Sequence, residues 1–139
     1  MAYFIGFFFL AGSGFMTWRV AQLWRDPGLV GHFVDTFAFL PFGAEVKRGE
    51  VRSLALTTAS LWGITALFLI GATDVGLDGP VGVGFAVALL VVLLCLLAEV
   101  GVVLFNAPKF VVPPHMRADP GLLAARRARR TAGPRRLEP

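Results

Sequence analysis

The sequence predicts an all-α integral membrane bundle of three transmembrane helices, with one short amphipathic helix between the first two and a basic tail. Three observations carry this. Three long stretches, 3–24, 54–72 and 81–105, are almost free of charge. Composition agrees: 56% of the 139 residues are hydrophobic, 16% are charged and the mean hydropathy is +0.72. A soluble domain has about 45–50% apolar residues and about a quarter charged. Finally, Lys and Arg gather in the first connection and the tail and are missing from the second connection.

A helix needs about 20 mostly apolar residues to cross roughly 30 Å of hydrocarbon, and each of the three stretches meets that length. Lipid offers no hydrogen bonds to a backbone, so segments so few in number must be helices and not strands of a closed barrel. The first, 3–24, opens Tyr3-Phe4-Ile5-Gly6 and carries one charge, Arg19. No basic residue precedes it and no Ala-x-Ala site follows it, which argues for a retained helix over a cleaved signal peptide. The second, 54–72, has no charge, and the third, 81–105, is interrupted only by Glu99.

Between the first two lies the segment 28–40, opened by Asp26-Pro27-Gly28 and closed by Pro41-Phe42-Gly43. Leu29, Val30, Phe33, Val34 and Phe37 recur at helical spacing, with His32, Asp35 and Thr36 on the other side. The segment is too short to span. Its pattern predicts a helix in the interface plane with its apolar side in the acyl region, or a re-entrant segment packed on the bundle.

From Ala107 the composition changes, defining two regions: a bundle, 1–106, and a basic Pro/Arg-rich tail, 107–139, partly disordered. Asn106-Ala107-Pro108 ends the third helix, and Val111-Val112-Pro113-Pro114 reads as extended. Asp119-Pro120-Gly121 opens a short helix that contains Arg126, Arg127, Arg129 and Arg130.

The positive-inside rule places the first connection (Arg25, Lys47, Arg48, Arg52) and the tail in the cytoplasm. The N-terminus and the connection holding Asp74 and Asp78 then lie outside. Abundant Gly, Ala and Arg with scarce Lys suggest a high-G+C bacterial genome, hence a multi-pass protein of a bacterial inner membrane. Tyr3 and Trp24 suit the two interfaces as aromatic anchors, whereas Trp62 falls mid-span and reads as a packing residue.

The most informative residue is Glu99. A carboxylate in hydrocarbon costs about 2.5–3.5 kcal/mol on insertion scales, so it faces protein or water. Gly84, Ala88, Cys95 and Asn106 share its small or polar face, and Arg19 lies at similar depth on a face with Gly12 and Gln22. An Arg19–Glu99 ion pair is the economical expectation. The alternatives are that Arg19 reaches the headgroups alone and Glu99 is protonated, or that Glu99 serves transport. Ala55, Ala59, Gly63 and Ala66 on the second span, with Gly84 and Ala88 on the third, read as close-packing positions.

Sites for chemistry are thin. Cys95 is the only cysteine and reads as a small packing residue. His32 with Asp35 supplies two of the three protein ligands that zinc wants, and His115 stands alone. No phosphate loop, dinucleotide fingerprint or hydrolase elbow is present. Neither cofactor nor metal nor catalysis is expected. Arg126, Arg127, Arg129 and Arg130 suit anionic lipid at about 1 kcal/mol per basic residue near the surface. Nucleic acid is the weaker expectation, as no binding fold accompanies them. The leading expectation is a non-catalytic accessory, scaffolding or regulatory subunit packed on itself or on a larger membrane protein. A small transporter or channel protomer using Glu99 in an oligomer is the alternative.

Overall fold

A computed structural model describes residues 2–39, 41, 43–73, 76 and 78–132, with the backbone alone at Ala2, Tyr3 and Ala38. Five α-helices follow one another: α1 (Ala2–Arg25), α2 (Leu29–Thr36), α3 (Ala44–Gly71), α4 (Gly79–Phe105) and α5 (Leu122–Thr131). Three are long and apolar enough to cross a membrane, namely α1, α3 and α4. The proposed anchor Tyr3, as a side chain, and Asp74 lie outside the described residues.

What is buried and what is exposed supports the membrane reading independently of hydropathy. Ser13, Ser53, Ser60, Thr58 and Thr65 are buried, while Phe4, Phe7, Phe8, Leu94 and Leu97 are exposed. Water would reverse that arrangement. In lipid the tails are as apolar as Leu, so bulky side chains gain nothing by turning inward and small ones let backbones approach. Three of these hydroxyls return their protons to their own helix: Ser53 donates to the Glu50 carbonyl at 3.0 Å, Thr58 to that of Leu54 at 2.8 Å and Thr65 to that of Leu61 at 2.7 Å.

α3 lies between α1 and α4 and packs on both, and the outer two barely meet. At Gly63 a Cβ would lie 2.5 Å from Val92 Cγ2, and at Gly49 3.0 Å from Val103 Cγ1. These two glycines therefore set the α3–α4 approach. Ala88 takes part through its carbonyl, 3.5 Å from that same Gly63 position. Ala55 instead borders a groove between α1 and α3, beside Thr17, Val20 and Trp24. Gly84 is exposed, with only Ile70 as near as 4.0 Å, so it makes no close helix approach among the described residues.

The second spanning helix starts ten residues before the charge-free stretch 54–72, because Glu45, Lys47, Arg48, Glu50 and Arg52 continue the same helix. Its 28 residues rise about 42 Å, more than the roughly 30 Å of hydrocarbon. The surplus is the charged end.

That end holds the only large apolar core among the described residues, built from Leu23, Phe33, Val51, Leu54, Val102 and Met116 with their neighbours. α2 follows the predicted 28–40 segment and begins where Asp26 Oδ1 accepts the Gly28 amide at 2.8 Å. His32, Asp35 and Thr36 are exposed as the pattern requires. The apolar side, however, is turned onto α1 and α3: Phe33 is 6% exposed and belongs to the core. The reading that Phe33 dips into the acyl region is corrected on this point.

The tail is folded through Ala132 and caps the same end. Val112, Pro113, Met116 and Leu122 are buried. The stretch expected to be extended is so at Val112 and Pro113, flanked by 3-10 turns at Lys109–Val111 and Pro114–Met116.

Candidate functional site

Polar groups concentrate in three places along this framework. The first joins α1 to α3. Ser13 and Thr65 hydroxyls lie 2.9 Å apart and are fully buried. Since Thr65 gives its proton to Leu61, Ser13 is the donor between them. One turn along, Trp62 Nε1 donates to Thr17 Oγ1 at 3.0 Å, while that hydroxyl donates to the Ser13 carbonyl at 2.8 Å. Trp62, expected to pack between helices, is 43% exposed and is tied to α1 by this hydrogen bond at its indole edge. Sequence reasoning missed Ser13, although Gly6, Ser13 and Thr17 at spacings of seven and four are a small-residue stripe that could have revealed it.

The second place contains Glu99. Thr57 Oγ1 donates a short hydrogen bond to Glu99 Oε1, from α3 to α4. Arg19 is elsewhere. It stands on α1, on the other side of α3, with its guanidinium carbon 4.8 Å from the Phe33 ring centroid and Nη1 3.4 Å from Gln22 Oε1. The structure does not bring Arg19 and Glu99 together, because α3 separates their helices. What it brings to Glu99 is a second carboxylate. Glu50 and Glu99 line one open groove of about 310 Å³ between α3 and α4, with Leu96, Val100, Val103 and Leu104 as its apolar walls. Their charges interact unfavourably, and Glu50 makes no side-chain hydrogen bond among the described residues.

The third place is the seam between α3 and the tail. Asn106, 3% exposed, adopts a left-handed conformation (φ 55°) that Asn tolerates better than most residues. That turn ends α4 and aims its amide at the tail, where Nδ2 donates to the carbonyls of Asp119 (2.7 Å), Arg117 (3.2 Å) and Met116 (3.4 Å). Arg48 Nε meets Asp119 Oδ2 at 2.7 Å, Arg52 Nη1 donates to the Pro120 carbonyl at 2.8 Å, and Arg129 meets Glu45 at 2.7 Å. At Gly121 the tail backbone crosses α4 so closely that a Cβ would lie 2.5 Å from the Leu104 oxygen.

The remaining sequence candidates are scattered. Arg126, Arg127 and Arg130 are exposed along α5. Cys95 packs at the core's edge, and His115 is half-buried with Nε2 unpartnered among the described residues. Among the described residues no three His, Cys, Asp or Glu side chains gather as a metal site. Neither a protein family, nor a curated protein, nor a solved structure matches the chain. What the geometry offers is therefore recognition chemistry: an acidic groove between α3 and α4 beside the charged end, and a basic seam at that end.

Proposed function

We propose that this chain is a non-catalytic accessory or scaffolding subunit of a bacterial inner-membrane assembly. The groove of Glu50 and Glu99 carries the reading. A carboxylate at membrane depth is costly unless paired; among the described residues Glu99 has one hydroxyl partner, and Glu50 faces it from the charged end of α3 with no side-chain hydrogen bond. A neighbouring transmembrane helix with a Lys or Arg at that depth would neutralise both and cover the apolar walls. The exposed apolar flank of α4 beside the groove gives such a helix room to pack. The N-terminus faces outward and the basic end inward, supported by the loop charges, and the arginines of α5 then meet anionic lipid.

Purification from native membranes in mild detergent tests this. A larger complex should accompany the wild-type chain and dissociate from the Glu50→Gln/Glu99→Gln variant. A monodisperse monomer in both cases would refute the accessory reading. A second reading, a transporter protomer, is favoured by having a second carboxylate one step along the groove from Glu99. A homo-oligomer with proton-coupled flux lost in Glu99→Gln would establish it instead.

A further inference from the structure

At the seam between α3 and the tail, two carboxylates are each held by an arginine. Glu45 is matched by Arg129 at 2.7 Å, and Asp119 by Arg48, which approaches its two oxygens at 2.7 and 3.5 Å. One cation remains. Arg52 is 2% exposed, holds a single carbonyl through Nη1, and leaves its buried Nε without a partner among the described residues. Asp119 attracts it at longer range and Arg48 repels it. A buried guanidinium with one neutral partner is an expensive arrangement unless an anion completes it.

Space for that anion is present. Arg52, Arg48, Asp119 and Glu45, the last held by Arg129, line a pocket of about 230 Å³, bordered by Pro120, Leu122 and Ala125. This is several times the roughly 30 Å³ share of one water molecule. We infer that this pocket binds a phosphate group, held between the Arg52 and Arg48 guanidinium forks. Planar guanidinium donors match phosphate oxygens in pairs, and these hydrogen bonds are stronger than neutral ones. To engage, Arg48 swings from Asp119 towards the ligand, a small motion for a half-exposed side chain. Leu122 and Pro120 offer an apolar edge to the alcohol that the phosphate esterifies. The pocket lies at the charged end of a spanning helix, so a phospholipid headgroup and a free phosphate share the needed chemistry. This site is distinct from the α5 arginines, of which Arg126 and Arg129 border a separate pocket beside Glu45 and Val46, with no buried guanidinium among its lining residues.

The experiment uses the full chain in neutral detergent with Arg126, Arg127 and Arg130 changed to Gln, removing the general attraction of α5. Thermal unfolding and native mass spectrometry are followed with three probes: inorganic phosphate, a short-chain phosphatidylglycerol, and a phosphate-free diacyl glycolipid. Phosphatidylglycerol should raise the unfolding midpoint and remain bound as a single copy, and the glycolipid should do neither. A parallel response to inorganic phosphate identifies a site that accepts the free ion, and its absence identifies a lipid headgroup site. Arg52→Gln should weaken binding about tenfold or more, the size expected for a lost charge-assisted hydrogen bond. Where Arg52→Gln does not fold, Arg48→Gln decides, since it should weaken binding by freeing Asp119 to claim Arg52. Asp119→Asn separates ligand binding from a purely structural seam. It should lower the midpoint of the unliganded chain yet tighten binding, because it releases Arg48. Equal response to all three probes, no response to any, or unchanged binding in Arg48→Gln together with weaker binding in Asp119→Asn overturns the assignment.

Discussion

Single residues fix how close the helices come, and two glycines do so to different degrees. At Gly121 the atoms facing an added Cβ are backbone: the Leu104 oxygen at 2.5 Å and the Phe105 carbonyl carbon at 2.6 Å. Backbone cannot step aside, so Gly121→Ala should cost at least the about 1–3 kcal/mol typical of overpacking and lower the unfolding midpoint. At Gly63 the obstacle is the Val92 side chain, which is stiff at χ1 in a helix but removable. Gly63→Ala should therefore destabilise the chain, and adding Val92→Ala should restore much of the loss. Additive losses in thermal unfolding would mean that the two positions do not touch. The same cycle applied to Arg19 and Glu99 carries the opposite expectation. Arg19→Met and Glu99→Gln should add, since residues on opposite sides of α3 with separate partners are independent.

Among the elements, the tail changes most in meaning once it is seen folded. As a sequence it reads as a charged appendage, and truncation at residue 120 should then weaken only salt-sensitive lipid attraction. In the structure that cut removes buried Leu122, the Gly121 crossing and the Arg129–Glu45 pair. Truncation at residue 120 should still lower the unfolding midpoint at high salt, because buried apolar contacts are not screened as the exposed Arg129–Glu45 pair is. Met116→Ala, at a site 1% exposed, should cost about 2–5 kcal/mol by the same logic. A loss that disappears at high salt would return the tail to a purely electrostatic role. Helix positions were legible from apolar runs and punctuation: α1 and α4 begin and end within about two residues of the charge-free stretches, and α5 follows Asp119-Pro120-Gly121. Neighbour relations were not. Depth along a helix can be read from residue number, which put Arg19 and Glu99 level. The order α1–α3–α4 depends on which faces are small, and Ser13, Gly49 and Gly63 decide that through contacts no single span contains. Asn106 was missed for a related reason. As a helix stop it was visible, but its three tail partners lie ten to thirteen residues on, beyond any local pattern.

The molecule as a whole is a row of three helices tied at its charged end, and this sets what its orientation in the membrane requires. α3 is about 12 Å longer than the hydrocarbon it crosses, so roughly eight residues must project. The charges of 44–52 supply that projection, and the tail folds over it through Arg48, Arg52 and Glu45. Both basic segments therefore share one side of the membrane, which on the positive-inside rule we propose is the cytoplasmic side. A reporter active only in the periplasm should be active when inserted after Gly76 and inactive when fused after Pro139. Fusion after Arg117 is a poorer choice, because it separates Asn106 from the Asp119 carbonyl and could unfold the cap. Single cysteines, introduced after Cys95→Ala, add a depth scale. A membrane-impermeant thiol reagent should label position 48 from the cytoplasmic side and position 76 from outside, and should leave position 59 unlabelled. Reversed labelling at 48 and 76 would invert the orientation while keeping the fold. Labelling at 59 from either side would mean that the hydrocarbon boundary is not where the charge-free stretch puts it, and that α3 lines water along its length.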